Sequence, residues 1–464
     1  MSLRPDQAAE LAVERLGGSG FAVAAERASV NVRWAGSSMT TNGSTRQTDL
    51  TVVAFHESAG GTSVGTVSTE GVLDAAAVED LVKRAEAAAR DAGPAEDAMP
   101  LITPSEAGES PAVWSAPGPE VSLDGVGAFA VRLGQLFGEL KSADYALYGF
   151  AHQELSSTWL ASSTGLRLRH DQPSGTAAAT GRTRDASAST WAGRQAPQLA
   201  EVDVAGIGAE LATKLGWSRR KVEVGVGRQE VILSPSAVSD LLVAMHWEMS
   251  GRNAAEGRSA FSATDAGTRL GDQLAPPGLM MVSDPHDPAM PNRPFVVATS
   301  SDANQSVFDT GLPVERTSWI DDGRLAHLIE TRWTASSSGR ELGSPAGNLT
   351  VDAGGTSSLD EMIAATERAL LLNTLWYIRE VDPVTMLLTG LTRDGVYVIE
   401  DGQVVGAASN FRWNDSPVAI LGRIIEAGQS VLGLPREWGD YWEQVRMPYL
   451  RVADFNLSST SAAV

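Results

Sequence analysis

The stretch SDLLVAMHWEMSGRNAAEGRSAFS, Ser239 to Ser262, sets apolar residues at helical spacing and places a histidine two positions before a glutamate. Just upstream, Ser234 and Pro235 form an N-cap and first-turn pair. Val238, Leu241, Leu242, Met245 and Met249 then recur as one buried face. The spacing predicts a helix over Pro235–Met249. His246 and Glu248 stand about 200° apart around that helix, so a regular helix points them to opposite sides. A metal-holding helix uses spacings such as H-E-x-x-H, which bring two imidazoles to one face. The H-x-E pattern of zinc deaminases also fails here, because its companion P-C-x-x-C needs cysteines and the chain has none.

The absence of cysteine excludes disulfides, thiolate zinc sites, iron–sulfur clusters and a thiol nucleophile. Acidic residues number 57 against 36 basic ones, a net charge of −21. With few lysines and scattered arginines there is no basic patch to offset this charge, so the pattern argues against nucleic-acid binding. The first twenty residues mix charges among apolar positions and read as an amphipathic helix, not a signal peptide. No apolar run reaches the roughly 18 residues that a membrane span needs. The expectation is a cytoplasmic protein with no membrane partner.

A length of 464 residues is enough for two or three units. A helix over residues 5–16, strands at Phe21–Trp34, Asp49–His56 and Thr62–Ser68, and a helix over Leu73–Gly93 make a small N-terminal α/β domain, residues 1–95. Residues 96–120 are Pro-rich and read as an extended linker. The large domain, residues 121–464, opens with a helix over Gly125–Leu140. Strands follow at Tyr145–Ser156, Thr158–Ser163 and Leu166–Arg169, then a helix at Asp203–Leu215. Further helices are predicted at Ser358–Leu372 and Pro417–Val431 in an otherwise β-rich pattern. The fold class is α+β, with an antiparallel sheet or barrel-like core in the large domain.

Three short motifs invite chemistry. HESAG (His56–Gly60) has no second histidine at ligand distance and lies at a strand end. DPHDP (Asp284–Pro288) concentrates possible ligands, but its prolines and aspartates equally make a turn. GTSVG (Gly61–Gly65) matches a nucleophile elbow around Ser63, yet TVSTEG after it is strand-like where an elbow needs a helix.

The order of longer segments goes further. SGRNAAEGRSAFS is followed by GLPVERTSWIDDGRLAHLIETRWTAS, AGNLTVDAGG, LWYIREVDPVTMLLTGLTRDGVYVIE and MPYLRVADFNLSS. Over essentially its whole length the chain resembles the TldD/PmbA family, also called the modulator-of-gyrase family. In that family TldD-like subunits carry H-E-x-x-x-H on a helix and a downstream cysteine as zinc ligands. TldE-like (PmbA) subunits lack them and pair with the first kind in a peptidase that admits unstructured peptides to a chamber. Aligned without gaps on EGRSAFS, the family's two histidine positions fall on Leu242 and Trp247 and its glutamate on Val243. Its cysteine would fall within Leu432–Met447, where there is none.

The resemblance therefore implies a non-catalytic TldE-like subunit, with no cofactor in this chain and zinc in a TldD-like partner. Its implied roles are precursor-peptide maturation or removal of antitoxin-like proteins. Trp376, Trp413, Trp438 and Trp442 are candidate anchors for the partner interface. The alternatives are a stand-alone peptide-binding module and a serine hydrolase using Ser63.

Overall fold

The computed structural model describes residues 2–118, 120–265, 267–442 and 444–461. Residues 1, 119, 266, 443 and 462–464, which fall within the two units and the linker read from sequence, lie outside them.

The first sheet is six-stranded and antiparallel throughout. Its strands are β1 (Gly20–Ala35), β2 (Ser38–Ser58), β3 (Gly61–Glu70), β4 (Tyr145–Ser162), β5 (Arg167–Thr183) and β6 (Ser189–Ala196), in the order β3-β2-β1-β4-β5-β6. Four helices accompany it: α1 (Pro5–Arg15), α2 (Ala75–Asp91), α3 (Leu123–Ser142) and α4 (Val204–Trp217). Side-chain alternation divides the sheet's faces. Ala22 and Ala24 of β1 pack with α1 and α2, while Val32 and Trp34, of the same parity, pack with α3 and α4. Phe21 and Val23 point the other way and pack with Phe295 and Phe308.

The small N-terminal unit begins this sheet and strands beyond residue 95 finish it, since β1 pairs with β4 along fourteen residues from Phe21 to Trp34. The two strands predicted at Tyr145–Ser156 and Thr158–Ser163 are one continuous strand. The segment predicted to start at Asp49 starts instead at Ser38. Residues 38–47 are exposed on both faces and so show no apolar alternation.

The described residues of the Pro-rich segment form no helix or strand, but they are fastened down. Buried Arg169 donates from Nη1 to Val113 O at 2.8 Å and Ala116 O at 2.6 Å, and from Nη2 to Pro117 O at 3.1 Å.

The second sheet has eleven strands. They are β7 (Gly227–Leu233), β8 (Met280–Ser283), β9 (Thr317–Asp321), β10 (Arg324–Leu325), β11 (Asn348–Asp352), β12 (Arg368–Asp382), β13 (Leu387–Glu400), β14 (Gln403–Ala407), β15 (Asn410–Asp415), β16 (Ile424–Gly433) and β17 (Gln444–Ser461). β7 pairs with β12 on one side and with β17 on the other, which closes β7-β12-β13-β15-β17 into a ring. Most pairings are antiparallel, but β7–β12 and β11–β17 are parallel.

Helix α5 (Pro235–Trp247) leaves β7 and packs on the ring's inner side, among Val231, Leu233, Leu370, Leu372, Val396, Val398, Leu450 and Val452. The intervening residues Ile232, Leu371, Tyr397 and Ile399 pack on the outer side. Asn373 of β12 joins the two sheets. Its Nδ2 donates to Trp191 O of β6 at 3.0 Å and to Asp394 O at 2.9 Å, and its Oδ1 accepts from Lys214 Nζ of α4.

Two predicted helices are corrected. The helix expected over Ser358–Leu372 stops at Ala364, and Arg368 begins β12. Leu370–Leu372 is a continuous apolar run, which suits a strand buried on both faces as well as it suits a helix. Pairing with β7 and β13 decides for the strand. The helix expected over Pro417–Val431 ends at Leu421, and Ile424–Gly433 pairs with β17.

A candidate functional site at the end of a buried helix

Ser234 caps α5, its Oγ accepting from Ala237 N at 3.2 Å. From Pro235 to His246 the helix is buried on every side, as expected for a helix running through a core. Leu242 and Val243 lie 2% and 0% exposed in the main core, where they offer only hydrocarbon. Trp247 ends the helix half-buried and looks into a cavity of about 500 Å³. His246, Trp442, Asn304, Glu330 and Arg293 share the lining with it.

His246, Trp247 and Trp442 form one wall, backed by Trp319 and Trp438. The His246 ring stands edge-on to Trp319 at 4.8 Å and to Trp442 at 5.4 Å, while Trp247 meets Trp438 edge-on at 5.2 Å. His246 is fully buried and neither ring nitrogen has a hydrogen-bond partner. Burial pushes its pKa down to about 3, so the imidazole is neutral at pH 7. Glu248 caps the helix half-buried, and burial together with Glu380 raises its carboxyl pKa.

The polar wall comes from loops. Glu330 is paired with Arg340 through Oε1, and its buried Oε2 has no partner. Asn304 donates from Nδ2 to Trp247 O at 2.8 Å and leaves Oδ1 unpartnered. Arg293 donates from Nε to Phe295 O at 3.0 Å. Burial lowers the Arg293 pKa to about 10, which leaves it charged at pH 7. Asp240 of α5 ties down the loop carrying Trp438 and Trp442. Its carboxylate accepts from the amides of Arg436, Glu437 and Trp438 at 3.2, 2.9 and 3.3 Å.

The structure brings Trp442 to this cavity beside Trp247, packs Trp438 behind Trp247, and sends the other two candidate tryptophans elsewhere. Trp413 is 0% exposed in the core against Phe455 and cannot meet a partner, which corrects its reading as an interface anchor. Trp376 is half-buried beneath the Arg436 guanidinium, 4.4 Å above its ring. Arg293, Glu330 and Asn304 carried no pattern in sequence. They come from separate loops that only the tertiary fold brings together. Asp240 had one weak signal, a lone acid inside an apolar helix.

The short motifs resolve simply. Ser63 is 5% exposed and donates from Oγ to Ala89 O at 2.5 Å. A Cβ at Gly65 would lie 2.2 Å from Ala85 O, so this glycine lets β3 approach α2. The match to a nucleophile elbow is therefore helix packing. Asp284–Pro288 is a turn in which Asp284 Oδ1 accepts from His286 N at 2.9 Å and Asp287 pairs with Arg446.

A family profile described as PmbA/TldA metallopeptidase C-terminal domain matches residues 226–459, half of the chain. No curated sequence matches it. Among solved structures, TldE from Thermococcus kodakarensis is similar at a TM-score of 0.77 and 15% identity, over 97% of this chain and 98% of that one. A candidate modulator of DNA gyrase from Bacteroides thetaiotaomicron is similar at 0.76 and 16%, over 98% of both chains. Another from Thermotoga maritima is similar at 0.75 and 14%, over 97% of this chain and 98% of that one. At these identities the structural likeness speaks for the fold.

The residues here do not suit the zinc that a metallopeptidase family implies. Leu242, Val243 and Trp247 supply no ligand or base. Among the described residues no three His, Cys, Asp or Glu side chains come together to hold a metal. The ring closed by β7, the helix within it and the profile match across both place this chain in the TldD/PmbA family.

Proposed function

We propose that this chain is the non-catalytic, TldE-like subunit of a two-subunit metallopeptidase, and that a TldD-like partner supplies the zinc and the catalytic glutamate. One observation carries the reading. The helix aligned with the family's metal helix presents Leu242 and Val243 to the hydrophobic core, and Trp247 closes its end. The contribution of this chain is then to shape a chamber, exclude bulky folded chains and hold extended peptide. Unstructured peptides are the substrate class, through precursor maturation or removal of antitoxin-like proteins, and the setting is the cytoplasm. Among the described residues no helix is long and apolar enough to cross a membrane.

Exposed Tyr377, Val381 and Val384, beside Trp376 on the β12–β13 hairpin, offer apolar surface to a partner. A permanent interface of this kind buries more than about 2,000 Å².

Co-expression with a subunit bearing H-E-x-x-x-H, followed by size exclusion and a peptide-cleavage assay, tests the reading. The expected result is a stable complex that cleaves unstructured peptides, is stopped by a zinc chelator, and is far more active than either subunit alone. If the partner cleaves equally fast without this chain and no complex forms at micromolar concentration, the chain is instead a stand-alone peptide-binding module.

A further inference from the structure

Among the described residues, each carboxylate lining the cavity at the end of α5 is met by an arginine or by backbone amides. Asp309 is neutralised by Arg332 at 2.8 Å, and Glu330 by Arg340. Asp302 accepts from the amides of Asn304 and Gln305 at 2.7 and 3.1 Å. Arg293 has no such partner. Among the described residues no carboxylate lies within ion-pair distance of it. Among the described residues the only hydrogen bond of its side chain is the one from Nε to Phe295 O, and the Phe295 ring lies 5.9 Å from its guanidinium carbon. Among the described residues no acceptor meets Nη1 or Nη2.

Arg293 is half-buried in this wall, and the planar fork of a guanidinium without a counter-ion matches a carboxylate. In a chain of net charge −21, where the arginines that reach this cavity's carboxylates are ion-paired, a guanidinium with no ion-pair partner stands out. Glu330 is a second sign. It is 2% exposed and keeps one oxygen unpartnered, an acceptor with no donor in the folded chain. A ligand that brings a carboxylate and N–H groups answers both.

The cavity also continues. Asn292, Gly347 and Trp442 line it and at the same time line a neighbouring cleft of about 360 Å³, which reaches Glu154 and Gln172 of the first sheet and exposed Tyr441. The two spaces together make a path for an extended chain, with aromatic surface from Trp247 and Trp442 beside Arg293.

We propose that this cavity holds an extended peptide by its carboxylate, with Arg293 as the anchor and Trp247 and Trp442 packing against the adjoining side chain. The proposal rests on the peptide-handling reading above and deepens it. It gives this subunit a site that selects peptides by a charged group, in the place where its relatives' chemistry would be.

The test is calorimetric titration of the full chain alone with three acetylated tripeptides: Ala-Ala-Phe as the free acid, the same peptide as the C-terminal amide, and Ala-Glu-Phe amide. The free acid should bind at least about tenfold more tightly than its amide. If the Glu-containing amide recovers that affinity, the carboxylate is a side chain's; if it does not, the carboxylate is the C-terminus. Arg293→Gln should abolish the preference for acid over amide, and Arg293→Lys should restore part of it. Thermal melting of Arg293→Gln should match the parent, since the half-buried guanidinium has no ion-pair partner to lose. Equal binding of acid and amide, no binding of any of the three, or a preference that survives Arg293→Gln overturns the proposal. None of these outcomes touches the subunit reading, which is judged by complex formation.

Discussion

The indole of Trp438 donates from Nε1 to the main-chain carbonyl of Asp240 at 2.8 Å, while the carboxylate of the same aspartate accepts the Trp438 amide. One residue inside the buried helix therefore grips a loop nearly two hundred positions away at both its backbone and its side chain. Burial raises the Asp240 pKa well above the ordinary carboxylate range, against three amides that pull it down. The contact fixes Trp438 over Trp247, and with it one wall of the cavity.

Asp240→Ala should therefore loosen that wall. Three amides lose their acceptor, at a cost of about 3 kcal/mol in stability. Hydrogen exchange at residues 436–438 should accelerate before the rest of the chain is affected. If exchange there is unchanged and the melting temperature holds, the loop is secured by something other than Asp240.

His246 makes acid stability a local question. An imidazole whose pKa is about 3 when folded and 6.5 when unfolded binds its proton mainly in the unfolded chain. The stability it contributes is complete above pH 6.5 and is lost as pH falls from there towards 3, reaching about 5 kcal/mol at the acid end. His246→Phe keeps a ring between Trp319 and Trp442 and cannot titrate. It should unfold at a lower pH than the parent, with equal or greater stability at pH 7, because two buried nitrogens without partners disappear. Urea melts at pH 4.5 and 7 measure both, and an identical pH dependence in the two proteins would contradict the assignment.

Rebuilding the metal motif should damage the fold before it creates a site. Leu242→His, Val243→Glu and Trp247→His together put polar groups at two positions that are almost wholly buried. Each of those two substitutions should cost about 2–5 kcal/mol. The thiolate ligand and the groups that would orient the imidazoles are still missing. The triple variant should melt well below the parent and hold zinc weakly or not at all by competition with a chelating dye. Tight, stoichiometric zinc with an unchanged melt would show that the helix is more adaptable than its packing implies.

Trp413 and Trp376 should separate stability from association. Trp413→Ala opens a cavity in the core and should cost about 3–5 kcal/mol. Trp413→Phe should cost far less, because it also removes an indole N–H that has no acceptor. Trp376→Ala, at a half-buried site under Arg436, should cost less than Trp413→Ala in the isolated chain and weaken assembly with the partner at least tenfold. Sedimentation of the mixed subunits distinguishes them. If Trp376→Ala leaves assembly untouched, the hairpin is not at the interface.

Much of this was legible in the linear sequence, for a local reason. Caps, periods and turn residues act over a few positions, so α5, the N-terminal helices and the strand character of Phe21–Trp34 follow from spacing, while the burial of α5 on every side and not on one face comes from the ring around it. The lack of ligand chemistry at Leu242, Val243 and Trp247 follows from residue identity. Tertiary structure decided what depends on distant partners. Leu370–Leu372 has no period that separates helix from strand, and it became a strand because β7 and β13 lie on either side of it. Gly227–Leu233 closes the ring because β12 and β17 both reach it, from positions more than a hundred residues away. Arg293 looks like any surface arginine in sequence. Only the fold sets it half-buried in a cavity wall and leaves it with no ion-pair partner among the described residues.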